Sequence, residues 1–140
     1  MPPKKILLAE DDLDDQTIFF EFLHSRKDIS LMPFADNGVV LMNWLDLIAD
    51  CRDLPDLIIL DQNMPKRNGL ETLELLKTLD RYQDIPVLVY STYTDDRLVN
   101  ACSKMGAAAV MCKPLTKDGY NKMIDFLLGV ILKFNRQRIK

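Results

Sequence analysis

One histidine, three cysteines and no apolar run of membrane-spanning length mark the 140-residue sequence. His24 has no ligand-type or nucleophilic partner near it. It reads as a residue of the last turn of a first helix, where it suits the helix dipole, and not as a site residue. Cys51, Cys102 and Cys112 are odd in number and form no CxxC pair, which argues against a disulfide framework and a structural zinc site. They are expected to be small, buried apolar residues. Neither sign of charge dominates, since 18 Lys and Arg stand against 21 Asp and Glu, a net charge of -3. Such a balance gives no broad pull toward nucleic acid or an anionic membrane. The basic end, Lys133 with Arg136, Arg138 and Lys140, is short and reads as a solvated helix end. Ile6-Leu7-Leu8-Ala9 is too short for a signal peptide, and Glu10-Asp11-Asp12 ends it at once. A reducing cytoplasm is the expected setting.

With 48% apolar and 28% charged residues, the composition is that of a folded globular protein. One domain is expected over residues 1–140, with a core over about 4–134. Three apolar runs are continuous: Ile6 to Ala9, Leu57 to Leu60 and Val87 to Tyr90. Continuous runs, unlike alternating ones, suit strands buried on both faces. Weaker strands are expected at Ser30 to Phe34 and Ala107 to Cys112. Helical faces fill the gaps: Ile18, Phe19, Phe22 and Leu23; Val40, Leu41, Trp44, Leu45 and Ile48; Leu70, Leu73, Leu76 and Leu79; Leu98, Cys102 and Met105. A last helix is expected from about Lys117 to Phe134. Strand and helix thus alternate five times, which implies right-handed crossovers and a parallel sheet covered on both faces.

Reactive groups in such a sheet collect beyond the carboxyl ends of its strands. Those ends read Glu10-Asp11-Asp12, Asp61-Gln62-Asn63-Met64-Pro65, Ser91-Thr92 and Lys113-Pro114. Two like charges about 4 Å apart repel by roughly 4 kcal/mol at an effective dielectric of about 20, so the acids need a counterion. Lys113 offsets part of the charge, and hard oxygen ligands suit Mg²⁺. Asp12 and Asp14 are accounted for as a cap and first-turn charge of helix one. Asp61 is not, because four aliphatic residues carry it straight out of the core. A carboxylate there can attack phosphorus to form an acyl phosphate, with a lysine and a hydroxyl taking phosphoryl oxygens.

These residues resemble the receiver domain of two-component response regulators. The likeness covers nearly the whole chain and rests on Glu10-Asp11, Asp61 with Asn63-Met64-Pro65, Gly69, Ser91 and Lys113-Pro114, in that order. It implies a flavodoxin-like, doubly wound (β/α)5 fold with strand order 2-1-3-4-5. It implies that Asp61 is the phosphoacceptor, that Asp11 binds Mg²⁺ (or Mn²⁺) directly and Glu10 through water, and that the Asn63 carbonyl completes the protein ligands. Ser91 would contact the phosphoryl group. Lys113 would pair with Asp61 and then with phosphoryl oxygens, and its bond to Pro114 is often cis in the family. The donor would be a phosphohistidine on a histidine kinase or phosphotransfer protein. Thr92 and Tyr93 occupy positions that tune phosphoryl lifetime, and slow autodephosphorylation is expected. One position departs from the pattern. Val110 stands where the family usually has Tyr or Phe, so no ring swings inward behind Ser91. Tyr90 and Tyr93 flank the serine as possible substitutes.

On the last helix Tyr120, Met123, Ile124, Leu127 and Ile131 form the stripe that should face the sheet, while Phe126, Val130 and Phe134 fall off it. The resemblance suggests a homodimer through helix four, strand five and helix five. Phe20 raises a similar question on helix one. A stand-alone, non-enzymatic regulator acting through protein contact is expected. Two alternatives remain open here. An aspartyl-phosphate hydrolase usually needs a second aspartate two residues after the nucleophile, where this chain has Asn63. An interaction module that never phosphorylates would have lost an acid or the lysine, and none is lost.

Overall fold

The computed structural model describes residues 2–139, with side chains for residues 2–133. The elements alternate as the apolar pattern predicts: β1 (Lys4–Ala9), α1 (Leu13–Leu23), β2 (Ile29–Leu31), α2 (Gly38–Leu47), β3 (Leu57–Asp61), α3 (Gly69–Thr78), β4 (Val87–Ser91), α4 (Asp96–Lys104), β5 (Ala109–Cys112) and α5 (Lys117–Ile139). The five strands form one parallel sheet in the order β2-β1-β3-β4-β5. Every residue of β3 and β4 is buried, which is why those runs show no polar alternation.

Strand residues still alternate between two cores, because successive side chains point to opposite faces. Leu7, Ala9, Ile58, Leu60, Val87 and Val89 pack with Leu41 and Leu45 of α2, Leu73 and Leu76 of α3 and Cys102 of α4. Ile6, Leu8, Leu57, Ile59, Leu88 and Tyr90 pack with Phe19 and Leu23 of α1 and with Tyr120, Met123, Ile124, Leu127 and Ile131 of α5. The α5 stripe is therefore the one anticipated. Phe126 is exposed and Val130 half-buried, while Phe134, Arg136, Arg138 and Lys140 lie outside the described side chains. Among the described residues no helix is long and apolar enough to cross a membrane.

Several boundaries and burials differ from expectation for identifiable reasons. Strand two ends at Leu31 and not Phe34, because the pairing slips by one residue: the Met32 N–H still bonds to Ile6 O at 2.9 Å, but the bond due from residue 34 in a regular parallel ladder is not made. The next bond to β1 comes from Ala35, whose N–H reaches Leu8 O at 2.9 Å. Strand five begins at Ala109 and not Ala107. The chain first closes α4 through Gly106, at φ 95°, and the Ala107 N–H is spent on Cys102 O at 3.0 Å. Leu79 and Met105 sit just past the ends of α3 and α4 and are exposed. Of the cysteines only Cys102 is buried. Cys51 and Cys112 are exposed, the first in a short 3₁₀ turn and the second at the last position of β5. The Lys113–Pro114 bond is trans.

Candidate functional site

The register brings the carboxyl ends of β1, β3 and β4 level, with Ala9 beside Leu60 and Asp61 beside Tyr90, and Ser91 pairs with Cys112 of β5. The residues that follow or end those strands therefore meet in one place. Glu10 is 0% exposed, Asp61 2% and Ser91 1%, whereas Asp11 is open to solvent. Local chemistry holds each in position. Asp12 caps α1, its side chain accepting from the N–H groups of Asp14 and Asp15, and this turns the chain away after Asp11. After β3, Asn68 and Glu71 form a capping box that starts α3. Gly69 sits so close to the end of β3 that a Cβ there would lie 2.8 Å from Asp61 O, so a side chain is excluded.

Lys113 is the hub. Its Nζ lies 2.8 Å from Glu10 Oε1, 2.9 Å from Asp15 Oδ2 and 3.3 Å from Asp61 Oδ2. One ammonium has three N–H donors, and each carboxylate takes one. Asp61 Oδ1 accepts from the Asn63 N–H at 3.2 Å, and the Asn63 amide reaches Ser91 Oγ at 3.4 Å. Glu10 Oε1 takes a second donor, the Tyr90 hydroxyl, at 2.9 Å, and the Lys113 ammonium rides 5.2 Å from the Tyr90 ring centre. Thr92 and Tyr93 are exposed beside Ser91. Val110 is half-buried and packs on the α2–α4 side of the sheet, paired with Val89.

Charge in the site is out of balance. Burial, then the hydrogen bond to Asp61, push the Glu10 carboxyl up to about 7, with Lys113 opposing. Burial raises Asp11 as well, and the charge of Glu10 adds to it. For Lys113, burial works downward but is outweighed by its hydrogen bonds to Glu10 and Asp15, so the ammonium is held well above its ordinary value and stays charged. Burial, then the charge of Glu10, raises Tyr90, which keeps its proton and remains a donor. Oxygens of Glu10, Asp11 and Asp61 fall within 4.8 Å of one another. Three carboxylates against one ammonium, all hard oxygen donors, fit a small divalent cation.

Two contacts of this site escaped sequence reasoning, Asp15 with Lys113 and Tyr90 with Glu10. Asp15 pairs with Lys113, and the only hint was its place in the first turn of a helix starting beside the acids. Tyr90 is a polar-tipped residue in an otherwise aliphatic run, which signals a buried partner for its hydroxyl. That partner is Glu10 and not Ser91, so Tyr90 does not replace the missing aromatic of β5. Tyr93, 74% exposed, does not pack behind the serine either. His24 caps the end of α1 and stacks on Phe20 with ring centres 4.8 Å apart.

Residues 6–125 match the family model of the response regulator receiver domain. The chain is 31% identical over 126 residues to a protein-glutamate methylesterase/protein-glutamine glutaminase of Clostridium acetobutylicum, covering 89% of this chain and 34% of that protein. It is 27% identical over 125 residues to chemotaxis protein CheY1 of Helicobacter pylori, covering 89% of this chain and 97% of that one. The first curated relatives matched are spanned over 31% to 50% of their length. The Mn²⁺-bound form of response regulator Rcp1 superposes with a TM-score of 0.73 at 30% identity, covering 86% of this chain and 88% of Rcp1. Receiver domains of this kind bind Mg²⁺ or Mn²⁺ at an acidic pocket and work with histidine kinases or phosphotransfer proteins. The chain belongs to the response regulator receiver domain family of two-component signalling.

Proposed function

We propose that this receiver takes a phosphoryl group on Asp61 from a phosphohistidine of a histidine kinase or phosphotransfer protein, and signals by contact with a downstream protein. The observation that carries the reading is the placement of Asp61. Its carboxylate is buried at the end of β3, faces Lys113 at 3.3 Å and shares a 4.8 Å cluster with Glu10 and Asp11. Carboxylates crowded this way are costly unless the site is built to hold charge.

Glu10, Asp11, Asp61 and the Asn63 backbone carbonyl would hold Mg²⁺ (or Mn²⁺). When bound, the cation neutralises charge on the phosphoryl oxygens. An Asp61 oxygen attacks phosphorus, an O–P bond forms and the donor's N–P bond breaks. The imidazole leaves with the electron pair and regains its proton from water. Lys113 moves its charge from the Asp61 carboxylate to the phosphoryl oxygens, and Ser91 donates to another. Thr92 and Tyr93 stand at the rim and slow the approach of water. The acyl phosphate brings about 1.5 to 2 negative charges, which shift the loop after Ser91 and α4 between pre-existing arrangements.

Val110 supplies no ring to follow Ser91, so output runs through that loop without the family's aromatic coupling. The exposed Val99 on α4 and Phe126 and Leu132 on α5 support the α4-β5-α5 face as a homodimer or partner surface. Incubation with acetyl phosphate and Mg²⁺, followed by intact mass, tests the reading. A single phosphoryl adduct on the wild type, absent from Asp61→Asn, is expected. An adduct that survives in Asp61→Asn moves the chemistry elsewhere, and steady turnover of a small phosphate ester would indicate a hydrolase.

A further inference from the structure

Tyr90 lies on the α1–α5 side of β4, fully buried, directly before the site serine. Its hydroxyl spends its proton on Glu10 Oε1 at 2.9 Å, and its ring underlies the Lys113 ammonium at 5.2 Å. Glu10 Oε1 therefore has two donors, Tyr90 and Lys113, while Oε2 has the weaker 3.3 Å contact from the Asp12 N–H. The two donors on Oε1 differ in kind. Lys113 sits on the segment after β5, is shared with Asp15 and Asp61, and is the group that phosphoryl oxygens would attract. Tyr90 is locked inside a strand whose five residues are all buried. When Lys113 turns to a phosphoryl group, a wholly buried carboxylate loses its charged partner, and the tyrosine hydroxyl is the donor that stays on Oε1.

We propose that Tyr90 is a positioning residue that fixes the Glu10 carboxylate for cation binding and keeps it fixed while Lys113 serves the phosphoryl group. This rests on the reading of the Asp61 site as a cation-assisted phosphoryl acceptor. Groups that hold a metal's ligands through a hydrogen bond commonly change metal affinity by about 10- to 100-fold when removed. The ring has a separate task, to seat the Lys113 ammonium on its face.

The test is isothermal titration of the whole protein with Mg²⁺, alongside thermal melts that verify folding. Tyr90→Phe keeps ring and volume and removes only the hydroxyl, so about tenfold weaker Mg²⁺ binding is expected. In a Glu10→Gln background the same change should have no effect on Mg²⁺ affinity, because the amide no longer carries the charge to be held. A residue that merely filled space would lose nothing in Tyr90→Phe, and one acting apart from Glu10 would give the same loss in both backgrounds. With acetyl phosphate as donor, Tyr90→Phe should shift the Mg²⁺ concentration for half-maximal rate and recover the wild-type rate at saturating Mg²⁺. Tyr90→Leu, which also removes the ring, should stay slow at saturation. Wild-type Mg²⁺ affinity in Tyr90→Phe or Tyr90→Leu, or an undiminished loss in the Glu10→Gln background, overturns the proposal. Failure of the wild type itself to bind Mg²⁺ would instead bring down the reading on which it rests.

Discussion

Glu10 allows a quantitative prediction, because it is an acid with no exposed surface and a carboxyl pushed from 4.5 up to about 7. A carboxyl that binds its proton more tightly when folded stabilises the fold below its unfolded value, near 4.5, and that stabilisation is lost as pH rises through about 7. Each tenfold change in proton affinity is about 1.4 kcal/mol, so the Glu10 contribution lost between pH 4.5 and pH 8 is roughly 3 kcal/mol. That is a sizeable part of the 5–15 kcal/mol or so that holds a domain together. The assay is urea unfolding of metal-free protein at a series of pH values, comparing wild type with Glu10→Gln, which cannot titrate. The wild type should lose about 3 kcal/mol more than Glu10→Gln across that window. Saturating Mg²⁺ should remove most of the difference by supplying the missing positive charge. Parallel pH profiles for the two proteins would refute the reasoning, since they would mean that Glu10 folds in its charged form at no cost.

Other expectations follow from the same geometry. Lys113→Ala leaves three carboxylates without their shared cation and should destabilise the metal-free protein by about 3 kcal/mol at pH 7.5, and by less at pH 5, in urea melts. Gly69→Ala places a methyl 2.8 Å from Asp61 O and should cost about 1–3 kcal/mol while also weakening Mg²⁺ binding, measured by titration calorimetry. Thr92→Ala and Tyr93→Ala open the rim and should shorten the phosphoryl lifetime several-fold, followed by loss of the adduct after the donor is removed. Arg26→Ala removes a largely buried guanidinium that pairs with Asp28 and Asp125 and donates to Asn121 of α5, and should cost about 1–3 kcal/mol in urea melts.

Legibility followed physics. Strands buried on both faces announced themselves as continuous aliphatic runs, and the parallel order followed from alternation with helices. The acids, the hydroxyl and the lysine were legible because each stands immediately after such a run, so local position alone put them at the sheet's end. Asp15 and the Tyr90–Glu10 bond were not, because they depend on how α1 is rotated and which face of β4 lies beneath Lys113. Those are tertiary facts without a fixed sequence spacing. Cys51 and Cys112 were misplaced for a related reason, since burial belongs to the position and not to the residue type. Leu79 and Met105 kept the helical period but fell one residue past the point where the helix ends.

The most direct test of the central claim is intact mass of the protein after acetyl phosphate and Mg²⁺. One phosphoryl group should be gained, dependent on the cation, and mapped to Asp61 by its absence in Asp61→Asn. A wild-type protein that stays unmodified at saturating Mg²⁺, or an Asp61→Asn variant modified to the same extent, would contradict it.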